Sequence, residues 1–139
     1  MHFFNGRTIP EPAASFDAVL FLSVLHHAAN STRGLLHQAA SIARTYIVVL
    51  EDLDNGMDTI AARNLRHDPT GIFRTDAAWK SLFHEACTGF HLVGDGPLGE
   101  VIRGSPKRYK DRSFLVGVQG EESRRFQKWY ALRRLSPIH

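Results

Sequence analysis

The sequence predicts an α/β layered fold with a mostly parallel sheet and an antiparallel strand toward its C-terminal end. Three observations carry this expectation. Phe16-Asp17-Ala18-Val19-Leu20-Phe21-Leu22 and Tyr46-Ile47-Val48-Val49-Leu50 are nearly continuous apolar runs, as expected of strands covered on both faces. A segment with helical spacing lies between them, which is the crossover that a parallel pair requires. Two later apolar runs, at 90–93 and 113–118, have no helical pattern between them and read as an antiparallel pair.

The elements follow in order. After the first strand, Asn30 or Ser31 can cap a helix whose apolar positions Leu35, Ala39 and Ile42 recur at helical spacing. The second strand ends in the acidic pair Glu51 and Asp52. Asp54 or Asn55 can then cap a short helix running through Ile60 and Leu65. Thr75 or Asp76 opens a clearer helix with Trp79, Leu82, Phe83 and Ala86 as its apolar stripe, and Gly89 suits a left-handed C-cap. Phe90-His91-Leu92-Val93 reads as a strand. Residues 94–112 are rich in Gly, Pro and basic side chains and read as a long loop, or a loop with an irregular strand. Ser113-Phe114-Leu115-Val116-Gly117-Val118 reads as a last strand. Residues 121–135 read as a basic helix carrying Phe126, Trp129 and Tyr130. Residues 1–120 are thus expected to form one partial domain, and residues 121–139 a basic C-terminal helix or extension.

With 139 residues, 43% of them hydrophobic and 22% charged, the composition is that of one ordinary globular domain rather than a disordered chain. No apolar run approaches the roughly 20 residues of a membrane helix, and the first residues do not resemble a secretion signal. A single cysteine, Cys87, excludes an internal disulfide framework. A cytoplasmic location is expected. The net charge is +3. Its excess falls in two clusters, one from Arg103 to Arg112 and one from Arg124 to Arg134. They read as a solvated loop and a solvated helix face rather than a nucleic-acid surface.

Several apparent motifs lack their context. Gly94-Asp95-Gly96-Pro97-Leu98-Gly99 has the spacing of a dinucleotide loop, but the residues after Pro97 are too broken for the helix whose amides would face a phosphate, so the segment reads as a turn. His84-Glu85 starts like a zinc-protease motif, but Thr88 stands where the second His belongs. The histidines show no metal-ligand spacing. Cys87 falls on the buried side of its helix and reads as core.

The informative stretch is Asn5-Gly6-Arg7-Thr8-Ile9-Pro10 followed by Ser15-Phe16-Asp17-Ala18-Val19-Leu20-Phe21-Leu22-Ser23-Val24-Leu25-His26-His27. It resembles the middle of the class I S-adenosylmethionine-dependent methyltransferases of small-molecule type. There an acidic and a small residue, a spacer and Leu-Pro precede Phe-Asp and an apolar strand ending in Leu-His-His. Residues 44–52 resemble that family's next strand, Trp79 to Phe90 its Trp-containing helix and following strand, and Arg112 to Val118 its terminal strand. The resemblance covers about residues 3–118. It implies a partial Rossmann-like sheet and S-adenosylmethionine as methyl donor. Asn5 and Gly6 stand where the family holds adenine, with Asn5 replacing the usual Asp and accepting through its carbonyl oxygen, or else they simply form a turn. Leu22, Ser23 and Val24, at the carboxyl end of the first strand, would line the pocket for the methionine part and the substrate. His26 or His27 would serve as a base toward a hydroxyl or amine nucleophile, or else hydrogen-bond at the start of the next loop. Glu51 and Asp52 would hold a substrate or a loop. Residues 53–75 would cover the substrate. No metal is implied.

The N-terminal strands and glycine-rich cofactor loop of that family are not found before Asn5. The strand at 16–22 would then lie at a sheet edge with a bare apolar face. The sequence reads as a truncated product, as a chain completed by a homodimer or a separate N-terminal partner, or as a remnant that no longer binds cofactor. The primary functional expectation is a methyltransferase acting on a small molecule. The rival is a non-catalytic interaction protein using the sheet edge or the C-terminal helix.

Overall fold

A computed structural model describes residue 5 and residues 7–54, 71–97 and 127–136. Strand β1 spans Phe16–Leu22. A 3₁₀ segment, Leu25–Ser31, leads into helix α1, Thr32–Ile42, which runs directly into strand β2, Ala43–Asp52. Helix α2 spans Asp76–Ala86, strand β3 Phe90–Pro97 and strand β4 Gln127–Arg134. The four strands form one sheet in the order β1-β2-β4-β3. β1 is parallel to β2, with Val19 opposite Ile47 and Leu22 opposite Leu50. β4 is antiparallel to both neighbours, with Tyr130 opposite Val49 on β2 and Asp95 on β3.

Both helices form as their periodicity dictates. α1 buries Leu35, Leu36, Ala39, Ala40 and Ile42. α2 buries Trp79, Leu82, Phe83 and Ala86, and the Thr75 hydroxyl accepts the Ala78 amide at 3.2 Å as its N-cap. Gly89, with φ of 83°, follows α2 and turns the chain into β3. The helices pack on each other and cover the sheet face formed by Phe21, Ile47, Val49, Tyr130 and Leu132. Burial in β2 alternates accordingly, Ile47, Val49 and Glu51 lying inside. Coverage on both faces, expected from the apolar runs, is not found among the described residues. Leu20 and Leu22 are 59% and 57% exposed on β1, which is a sheet edge.

The expected basic helix over 121–135 is corrected: residues 127–134 are strand β4, in the middle of the sheet. Tyr130 and Leu132 point into the core at the strand period of two, and the indole of Trp129 lies on the opposite side against β3. The expected turn at 94–97 is likewise strand. A Cβ on Gly96 would stand 2.9 Å from Trp129 Nε1, and one on Gly94 3.2 Å from its ring, so the glycines admit the indole. Two basic side chains of β4, Lys128 and Arg134, are structural. Arg134 donates from Nη2 to the carbonyls of Ala40 and Ala43, each at 2.6 Å, where α1 ends. Lys128 Nζ lies 2.8 Å from Asp76 and 3.3 Å from Asp95. Cys87 is buried as expected, and burial pushes its thiol up to about 12. The expected helix over 55–65, the strand over 113–118 and Phe126 lie outside the described residues.

Candidate functional site

At the carboxyl ends of β1 and β2 the chain makes a sharp turn. Ser23 adopts φ of 54°, a left-handed conformation that a non-glycine residue rarely holds, and its amide donates to the Leu50 carbonyl at 2.7 Å. This turns Val24 outward and sends Leu25 and His26 inward. Glu51, the penultimate residue of β2, is wholly buried beneath them. One carboxylate oxygen accepts the Leu25 amide at 2.6 Å; the other lies 2.6 Å from His26 Nδ1. A carboxylate oxygen that carries no proton only accepts, and toward such an oxygen His26 Nδ1 is the donor. Thr32 closes the 3₁₀ segment, its hydroxyl lying 2.9 Å from the carbonyls of both Leu25 and Ala29.

Residues 71–74 cover this turn. The Ile72 amide donates to the His26 carbonyl at 2.9 Å, and the Phe73 ring stacks on His26 at 5.0 Å. His27 tilts against His26 at 4.0 Å between ring centres, but faces outward. It lines an open groove of about 800 Å³ together with Val24, Asn5, Arg7, Ile9 and the β1 side chains. That volume is of the size that holds a cofactor or small ligand.

The expected site residues are therefore divided. Asn5, Val24 and His27 meet at the groove. Leu22 is exposed at the end of β1, and Ser23 makes the turn. His26 is 4% exposed and built into the turn. Gly6 lies outside the described residues. Asn5 Oδ1 accepts the amides of Arg7 and Thr8 at 2.9 and 2.8 Å, so its carbonyl oxygen is engaged locally and its amide NH₂ is the group available as a donor. Sequence reasoning singled out Glu51 without its partner and passed over Phe73 and Arg74. Only the aromatic-basic pair at the end of an irregular segment marked them. Among the described residues no cluster of three His, Cys, Asp or Glu could hold a metal ion, and no helix is long and apolar enough to cross a membrane.

No protein-family profile matches the chain, and no curated protein matches it in sequence. Solved structures do. A chain in the complex between the Haloferax volcanii Trm112 methyltransferase activator and a protein assigned as a methyltransferase superposes with a TM-score of 0.65 at 16% identity, over 98% of this chain and 60% of that one. A protein assigned as a sarcosine dimethylglycine methyltransferase from Galdieria sulphuraria gives 0.59 at 15%, over 99% and 59%. One assigned as a methyltransferase from Bacillus halodurans gives 0.59 at 10%, over 96% and 70%. The architecture is the Rossmann-like fold of the class I S-adenosylmethionine-dependent methyltransferases, as a partial sheet. This chain spans about 60% of the length of the first of these. The same fold also appears in the [4+2]-cyclase SpnF, at a TM-score of 0.58 and 12% identity, so architecture alone does not select a reaction.

At this end of the sheet Leu22 and Val24 are exposed apolar side chains, and the Asn5 amide NH₂ is a hydrogen-bond donor.

Proposed function

We propose that the protein is an S-adenosylmethionine-dependent methyltransferase acting on a small-molecule acceptor. The observation that carries this reading is the turn at the carboxyl ends of β1 and β2, where ligands bind in open α/β sheets. There the buried Glu51–His26 pair holds a strained loop that presents Val24 and His27 to the groove. The bound donor would supply an activated methyl on a sulfonium centre. The chain's own part is alignment and proton handling. In this reading Asn5, Gly6, Leu22, Ser23 and Val24 contact the cofactor. His27 takes the proton from a hydroxyl or amine nucleophile. His26 fixes the loop that carries His27, and residues 71–74 form the described part of the substrate cover.

The test is a calorimetric titration of the chain with S-adenosylhomocysteine, followed by methyl-transfer assays on a panel of small hydroxyl, amine and carbon acids. Saturable binding that weakens in Val24→Asp supports the reading. A folded chain that binds neither S-adenosylhomocysteine nor S-adenosylmethionine sinks it. The open edge of β1, with Leu20 and Leu22 exposed, favours a covering chain as well, either a second copy or a separate N-terminal partner. Sedimentation of the chain at increasing concentration, alone and with a candidate partner, tests that part. A monomer throughout, with no partner bound, removes it.

A further inference from the structure

The end of the covering segment brings together two donors that the turn does not use. Arg74 lies just past β2, bridging Leu53 in parallel register. Its guanidinium carbon stands 5.1 Å from the centre of the Trp79 ring, and Trp79 is fully buried in α2. Arg74 Nη1 and Trp79 Nε1 are both buried, and neither has a hydrogen-bond acceptor among the described residues. Buried donors are nearly always satisfied, so two orphaned donors on side chains that stack on each other call for a cause. The guanidinium is the more costly of the two, because it also carries a charge.

The nearby carboxylate is not the acceptor. The oxygens of Glu51 are held by Leu25 and His26 at 2.6 Å each, and Arg74 Nη1 makes no hydrogen bond to either. Burial pulls the Arg74 guanidinium below its ordinary range, and the field of Glu51 partly offsets this. Both orphaned groups donate, and neither can accept. The matching ligand atom is an acceptor with several lone pairs, and the fixed positive charge selects an anion. Arg74 directly follows the Ile72-Phe73 pair that covers His26, so an anion held there lies beside the turn.

We infer that Arg74 and Trp79 form a subsite for an oxyanion, a carboxylate or a phosphate, carried by the acceptor molecule. The word "acceptor" rests on the methyl-transfer reading proposed above; anion binding itself does not.

The indole N–H resonances of the full chain report on this directly. Trp79→Phe identifies the Trp79 signal by its loss. The chain is then titrated with sodium acetate, sodium phosphate and neutral acetamide at constant ionic strength set with chloride. The Trp79 signal is expected to shift saturably with acetate, marking a carboxylate site, or with phosphate, marking a phosphate site, and not with acetamide. Arg74→Met is expected to weaken that binding about ten- to a hundredfold. Trp79→Phe keeps a ring beside the guanidinium and is expected to weaken it less, read from the Thr75 amide. An unmoved Trp79 signal with both anions overturns the proposal, as does undiminished binding in both variants. S-adenosylhomocysteine is titrated alongside. Cofactor binding without anion binding removes the subsite alone. Anion binding without cofactor binding leaves the subsite and removes methyl transfer.

Discussion

The carboxylate of Glu51, wholly buried at the end of β2, holds His26 Nδ1 at 2.6 Å across a sequence separation of 25 residues. With its second oxygen on the Leu25 amide, it ties the end of one strand to the loop that leaves its neighbour. Glu51→Leu leaves that amide and the imidazole without an acceptor, and is expected to cost about 3–5 kcal/mol. Glu51→Gln keeps the shape and one acceptor, and is expected to cost about 1–3 kcal/mol. Urea unfolding at unchanged slope measures both. Equal and negligible losses would show that the pair does not organise the turn.

The two adjacent histidines are expected to separate in their effects. Under the methyl-transfer reading proposed above, His27→Ala should lower kcat about 10²- to 10⁴-fold on a hydroxyl acceptor while leaving cofactor affinity and stability close to wild type. His26→Ala should destabilise the chain, because it strips a buried carboxylate of its partner. Parallel unfolding and turnover measurements on the two variants decide this. A stable His27→Ala chain with undiminished methyl transfer would remove His27 as the proposed base.

Trp129 lies over two glycines of β3, and the tighter of them is the more sensitive position. Gly96→Ala places a methyl 2.9 Å from Trp129 Nε1 and should cost about 1–3 kcal/mol; Gly94→Ala, at 3.2 Å, should cost less. Combining Gly96→Ala with Trp129→Ala should recover part of the loss, because the clash is then gone. Thermal unfolding of this double-mutant cycle gives the coupling.

Asp76 and Asp95 bind Lys80 and Lys128 where α2 meets β3 and β4. Burial would raise the Asp76 carboxyl, but hydrogen bonds from Lys128, Lys80 and Tyr130 outweigh it and hold the group at about 2. The Lys80 hydrogen bond likewise lowers Asp95. Both groups are depressed on folding, so the unfolded chain binds more protons in acid. Their contribution is fully present above the unfolded value near 4 and is lost as pH falls toward about 2. Asp76 is partly exposed, so after solvent screening the contribution is on the order of 1 kcal/mol. Lys80 is raised chiefly by its hydrogen bond to Asp95, so its share is present below the usual lysine range and lost above it. Urea unfolding of wild type and Asp76→Asn between pH 5 and 2 should show the two curves converging as pH falls. Parallel curves would refute the assignment.

Most of the architecture was legible because its signals are local. The Leu35, Ala39 and Ile42 spacing, the Thr75 cap and the Trp79, Leu82, Phe83 and Ala86 stripe each lie within one helix, and the apolar runs at 16–22 and 46–50 within one strand. β4 was misread because Gln127–Arg134 pairs long basic side chains with aromatic ones, a pattern that suits a helix surface until neighbours exist on both sides. Its partners lie far off in sequence: Val49 on one side and Asp95 on the other meet Tyr130. Asn5, Val24 and His27, which the sequence singles out, line one groove. Arg74 is not singled out, because nothing near it in the chain shows that its Nη1 is buried without an acceptor.

Periodicity, capping and the order of apolar runs were sufficient for an α/β sheet with a parallel pair, and for a loop with adjacent histidines at its carboxyl end. They could not say which histidine is buried, because Glu51 makes that choice from another strand. Nor could they place the C-terminal segment, because a strand between β2 and β3 is stabilised by ladders and contacts on two sides that no local pattern contains. Helices and isolated strand runs answer to their own side chains; the position of a strand in a sheet, and the burial of a charge beneath a turn, answer to distant ones.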